Sequence, residues 1–189
     1  MSEERTFTAF ADNGQIAAGE VRDVLAAVVT YLNGGGGGVV QVFEDGTGRA
    51  VDFDLRGELE DVLGRLELHP LFGAAARRSG PGRPRMGVVS REVTLLPRHW
   101  EWLEQQPQGI SAALRRLVDE ARKGDPEGER RRRLRDAAGK FMWAMAGNLP
   151  GFEEASRALY ANDWPRLAEL IRDWPEDIRK YIAVRLEIG

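Results

Sequence analysis

One β-prone run in the middle of this 189-residue chain has no sequence neighbour to pair with. Arg91-Glu92-Val93-Thr94-Leu95-Leu96 is short and ends at Pro97, whose fixed φ presets the first turn of a helix. Before it lies the stiff basic stretch Pro81-Gly82-Arg83-Pro84-Arg85, and after it come two helical patterns. Trp100 and Leu103, with Trp102 beside them, form the apolar side of the first, which ends near Gln106-Pro107. Gly109 permits the turn, and Ser111 either caps the next helix or sits in its first turn. Ile110, Leu114, Leu117, Val118 and Ala121 then make an apolar stripe. One strand cannot satisfy its own backbone N–H and C=O groups. A second copy supplying the partner strand is the simplest solution, so this segment implies a homodimer.

Charge is distributed unevenly around it. The chain carries a net charge of -3, yet residues 1–76 carry -8, residues 77–135 carry +7 and residues 136–189 carry -2. A basic block inside an acidic chain is the electrostatic footprint of a polyanion partner, although charged helices are also ordinary solvated faces. Without cysteine there is no disulfide, thiolate nucleophile or Cys-based zinc site, and His69 and His99 are too few imidazoles for most transition-metal sites. No apolar run approaches the roughly 20 residues that span a bilayer, and the N-terminus has no apolar signal region. A cytoplasmic protein without a membrane contact is expected.

The expected fold class is α+β in three parts. Asp12-Asn13-Gly14 and Asp45-Gly46-Thr47-Gly48 are hairpin signals, since Asn-Gly and Asp-Gly supply the positive φ of tight turns. Strands at 6–10 and 15–17, a helix at 20–32, strands at 39–43 and 50–55 and a helix at 58–66 make residues 1–67 an acidic ββαββα domain with its own small core. The Gly34 to Gly38 run follows a helix, precedes a strand and lacks the lysine of a phosphate loop, so it reads as a helix exit and connector. Residues 68–87 read as a basic linker and arm, with His69 a loop residue. Residues 88–123 form the central module, and Gly124-Asp125-Pro126-Glu127-Gly128 reads as a break. Residues 129–189 form a helical domain: a helix opened by Arg130 to Arg133, then helices near 151–161, 164–173 and 175–187. Asp163-Trp164-Pro165 and Asp173-Trp174-Pro175 each place an Asp cap and a first-turn proline, and both tryptophans read as packing residues.

The Leu-Pro helix start, the turn and the helix Ile110-Ser111-Ala112-Ala113-Leu114-Arg115-Arg116-Leu117-Val118 resemble the ribbon-helix-helix module of the MetJ/Arc class over about 35 residues. The resemblance implies that Leu96 faces the core, with Arg91, Val93 and Leu95 on the base-reading face. Two of those three readers are aliphatic, a departure from the hydrogen-bonding groups that base edges call for. Gly82-Arg83-Pro84 resembles the core of AT-hook minor-groove binders, which implies that Arg83 and Arg85 enter a narrow A·T-rich groove. The whole sequence resembles an uncharacterised bacterial family known only as a domain of unknown function of the 2239 type. The likeness rests on Gly82-Arg83-Pro84-Arg85, SREVTLLPRHWEWLEQQP, ALRRLVDEAR and KFMWAMAGNLPGFEEASRALYANDW.

These readings lead to a dimeric, sequence-preferring DNA-binding protein, a bacterial transcriptional regulator with no cofactor and no metal. The expected DNA-binding residues are Arg83, Arg85, Arg91, Val93, Leu95, Arg98, Gly109 and Ser111, with the last two at a helix N-terminus suited to phosphate. A protein partner for the acidic N-terminal domain is also expected. The alternative is a scaffold module in which the ribbon only dimerises. An enzyme is not expected, because no nucleophile-base set or nucleotide fingerprint is present and His99 reads as a helix-surface residue.

Overall fold

Four consecutive residues, Phe7, Thr8, Ala9 and Phe10, are buried, which a strand achieves only when both of its faces are covered. They lie in β1 (Phe7–Ala11), the second strand of a four-stranded antiparallel sheet. Its neighbours are β2 (Gly14–Gly19) and β3 (Val40–Glu44), and β4 (Arg49–Val51) pairs with β3, giving the order β2-β1-β3-β4. Both hairpins fall at the Asn-Gly and Asp-Gly signals, and β1 shifts register against β2 between Ala9 and Phe10. The structure, a computed structural model, describes residues 5–72 and 91–188. It is a mixed α+β fold with this sheet and eight helices among the described residues.

On one face, Phe7, Ala9 and Val42 pack against Val24 and Val28 of α1 (Val21–Asn33). One residue further round that helix, Leu25 and Val29 pack on Val62 of α2 (Leu59–Arg65) and on Leu66. On the other face, Phe10 and Phe43 meet Phe141, Met142, Tyr181 and Ile182. Those residues belong to α5 (Pro126–Ala146) and α8 (Glu176–Leu186), and the same core takes in α6 (Phe152–Ala161) and α7 (Trp164–Leu170). Phe10, Phe43, Phe141 and Tyr181 form an aromatic cluster with centroids 4.0–6.1 Å apart. Residues 1–76 and 131–189 therefore make one unit, and residues 77–130 a second.

This grouping differs from the expected separate domains at 1–67 and 129–189. The cause is the second apolar face of the sheet, which the N-terminal elements leave uncovered and the C-terminal helices bury. Part of the expected linker is also packed: Phe72 lies 5.8 Å from the Phe7 ring, and His69 stacks on Phe53 at 5.0 Å. The Gly-rich run exits α1 as expected, with Gly34 as C-cap and Gly35 at φ 84°.

A polar cluster fastens the two halves of the large unit. Asp45, at the β3–β4 turn, is 3% exposed. Its Oδ1 accepts hydrogen bonds from the Thr8 hydroxyl at 2.8 Å and the Tyr181 hydroxyl at 3.1 Å, and its Oδ2 lies 3.4 Å from the Arg185 guanidinium. Burial, and then the Asp45 charge, push the Tyr181 phenol far above its ordinary range, so it remains a neutral donor. Arg185 also lies over the Tyr181 ring, 5.4 Å from its centroid.

Helix boundaries follow local chemistry. Asp163 accepts from the Arg166 amide and caps α7, with Pro165 in its first turn. Asp173 does not repeat the role, because α8 starts later, with Pro175 at its N-cap. Trp174 is buried and donates its indole N–H to the Pro150 carbonyl at 2.9 Å, while Trp164 packs at the edge of the same core. The expected break at 124–128 is the start of α5: Asp125 Oδ1 accepts from the Gly128 amide at 2.8 Å, and Pro126 opens the helix.

Candidate nucleic-acid and dimer interface

The smaller unit is built on α3 (Pro97–Glu104) and α4 (Ile110–Gly124), which pack against each other. Pro97 starts α3 with Leu96 as its N-cap at φ -69°, ψ 150°. Ahead of it, Arg91 to Leu96 run into the helix without entering a strand, so the expected ribbon-helix-helix arrangement is absent from the described residues of this single chain. The expected facing is also changed: Leu95 is half-buried and Leu96 is 48% exposed. The helices α3 and α4 cover only part of the apolar surface of this unit.

What they cover is small. Leu103 and Ala113 are buried, and Trp100, Ile110 and Leu114 are half-buried. Val93, Leu96, Trp102, Leu117 and Val118 are left exposed, at 38–56%. Leu117 and Val118 extend the α4 stripe seen in the sequence and remain exposed.

The expected site residues occupy different places. Arg83 and Arg85 lie outside the described residues. Arg91 and Val93 are exposed on the approach to α3, and Arg98 is exposed in its first turn. Gly109 is the N-cap of α4 at φ 78°, a conformation that suits glycine, and no side chain caps that end. Ser111 therefore sits in the first turn and is exposed. The amides at Gly109 to Ser111 stand at the N-terminus of α4, the end of a helix that attracts anions. On the solvent face Arg116 bridges Glu120 at 3.7 Å, an exposed pair of little energetic weight.

Sequence reasoning passed over two features of the larger unit. The Asp45–Tyr181–Arg185 cluster joins residues more than 130 positions apart, so no local motif announces it. Trp143 follows the buried residues Phe141 and Met142 on α5 and yet is 74% exposed. Among the described residues, no group of three or more His, Asp or Glu side chains is placed to hold a metal ion, and no helix is long and apolar enough to cross a membrane.

No curated protein and no solved structure matches the chain. One family model does, over residues 6–186, nearly the whole length. The chain belongs to the family described as uncharacterized protein conserved in bacteria (DUF2239).

Proposed function

We propose that the protein is a homodimer that binds double-stranded DNA through its smaller unit and acts as a transcriptional regulator. The carrying observation is the exposed apolar row Leu96, Trp102, Leu117 and Val118, set within a segment of net charge +7. A second copy contributing its own residues 91–96 would pair that segment as a two-stranded ribbon and cover the row at the same time. This is the ribbon-helix-helix arrangement that the sequence resembles.

On the DNA, Arg91, Arg98 and the α4 N-terminus at Gly109 to Ser111 would contact phosphates. Val93 and Leu95 would offer only apolar contact, suited to thymine methyl groups, so major-groove discrimination would be weak. Sequence preference would then rest mainly on Arg83 and Arg85 in an A·T-rich minor groove. The protein would work without catalysis or cofactor.

Those aliphatic readers also favour the second reading, a scaffold whose ribbon only dimerises. One variant bears on both. Val118→Asp places a charge in the proposed dimer core, where an unpaired buried charge costs several kcal/mol. Sedimentation equilibrium is expected to show a dimer for the wild type and a monomer for the variant, with DNA affinity lost in parallel. A wild-type monomer at micromolar concentration would overturn the dimer. A dimer whose variant separates without any DNA binding to lose would support the scaffold.

A further inference from the structure

His69 is the one imidazole of the larger unit, and both of its ring nitrogens are engaged. Nε2 lies 3.1 Å from the Asp52 carbonyl oxygen, and Nδ1 accepts from the Leu71 amide at 3.2 Å. A carbonyl only accepts and an amide N–H only donates, so Nε2 carries the proton and Nδ1 offers its lone pair. The two contacts together admit one species, the neutral ring protonated at Nε2. A second proton, on Nδ1, would set N–H against N–H at Leu71.

That ring holds a short flap, residues 69–72, on the α1 face of the sheet. It stacks on Phe53 at 5.0 Å and 26° and lies 5.6 Å from Phe72, which packs 5.8 Å from Phe7 of β1. The His69 amide donates to the Leu66 carbonyl at 3.1 Å, the Phe72 amide to the His69 carbonyl at 2.9 Å, and Arg5 to the Leu71 carbonyl at 3.2 Å. Beneath lies a cavity of about 200 Å³ lined by Phe53, Val62, Leu66 and Leu68. The charged groups on the neighbouring elements are Arg5 ahead of β1, Asp52, Asp54 and Arg56 after β4, Arg65 at the near end of α2 and Glu67 on the turn itself. Glu60 and Asp61 stand in the first turn of α2, and Arg22 and Asp23 in that of α1. Asp54 is held by Arg56 at 2.8 Å and lies 3.5 Å from Arg65, and the ring's own hydrogen bonds go to none of these side chains.

We propose that His69 is a pH-sensitive latch on residues 69–72. While the ring is neutral, the Leu71 bond holds and the flap stays closed. As pH falls through the range in which histidine gains charge, a solvent proton takes the Nδ1 lone pair, the Leu71 amide loses its acceptor, and the flap lifts from Phe53 and Phe7. The latch is independent of the dimer and DNA reading of the smaller unit.

The test is amide hydrogen exchange of the full chain, read by NMR at about pH 8 and about pH 5, the limits between which histidine changes charge, with each amide corrected for its intrinsic rate. In the wild type the protection of the Leu71 and Phe72 amides is expected to fall on the order of ten-fold at the lower pH, the equivalent of one lost hydrogen bond. The Leu167 amide, bonded to the Asp163 carbonyl in the same unit, is expected to keep its protection. His69→Phe retains a ring against Phe53 and Phe72 without a titrating nitrogen and is expected to lose the pH response, whereas His99→Gln, which removes the other histidine, is expected to retain it. Equal wild-type protection of Leu71 at both pH values, an equal fall at Leu167, or a response that persists in His69→Phe or vanishes in His99→Gln would overturn the latch.

Discussion

Asp45→Ala is expected to lower the stability of the larger unit by about 3 kcal/mol, since breaking a buried ion pair leaves its partner uncompensated. Three donors converge on that carboxylate: the hydroxyls of Thr8 and Tyr181 and the Arg185 guanidinium. Arg185 keeps about a quarter of its side chain in solvent, which holds the loss toward the lower end of the range for such pairs. Its Nε is already buried without a hydrogen-bond partner among the described residues, so removing Asp45 adds to an unmet demand. Asp45→Asn keeps an acceptor for the two hydroxyls but turns an amide toward Arg185, and an intermediate loss is expected. Urea unfolding checks both, read as a lower midpoint at unchanged slope. An alanine variant within about 0.5 kcal/mol of wild type, the range of ordinary surface changes, would show that the cluster does not fasten α8 to the sheet.

Gly48→Ala is expected to cost a similar amount by a different route. Gly48 has φ +64°, in the left-handed region, and a Cβ there would lie 1.9 Å from the carbonyl oxygen of Ala137 in α5. Left-handed geometry costs roughly 1–2 kcal/mol for a residue with a side chain, and forced expansion of a packed contact about 1–3 kcal/mol more. The obstacle is helix backbone, which cannot swing aside as a flexible side chain would. Gly46, in the same turn, faces open space, so Gly46→Ala serves as a control with an expected change below about 0.5 kcal/mol. Thermal unfolding of the two variants should separate them clearly. Equal behaviour would mean that the β3–β4 turn does not rest on α5 as closely as described.

Both effects arise at the junction between the sheet and the C-terminal helices, which is where local sequence patterns carry least. Turn chemistry at Asn13-Gly14 and Asp45-Gly46 placed the hairpins, and 3.6-residue periodicity placed every helix to within a few residues, because those signals are local. The shared core had a local trace of its own. Phe7-Thr8-Ala9-Phe10 does not alternate apolar with charged residues, the pattern of a strand covered on both faces rather than one. Reading it as half of a small independent domain left Phe10 and Phe43 without partners. Asp125-Pro126 looked like a break because Gly and Pro punctuate loops, yet Asp before a first-turn proline is equally a helix start. Asp173-Trp174-Pro175 has the same form as Asp163-Trp164-Pro165, but there the proline is the N-cap of α8 and Trp174 is buried with its indole bonded to the Pro150 carbonyl. The candidate DNA and dimer residues were legible as residue types and spacing. Their arrangement was not, because Arg91 to Leu96 run into α3 without forming a strand, and β-propensity alone does not fix a segment's partner.

The most direct measurement of the proposed function is the binding of the full chain to A·T-rich and mixed-sequence duplexes across a salt series, read by fluorescence anisotropy. Neutralised phosphates release counterions, so the logarithm of the affinity should fall linearly with the logarithm of salt, with a slope of about -0.9 for each phosphate contacted. Arg91, Arg98 and the α4 N-terminus in two protomers imply a slope steeper than about -3 on this relation, with tighter binding to the A·T-rich duplex. No binding to either duplex at low salt would contradict the account.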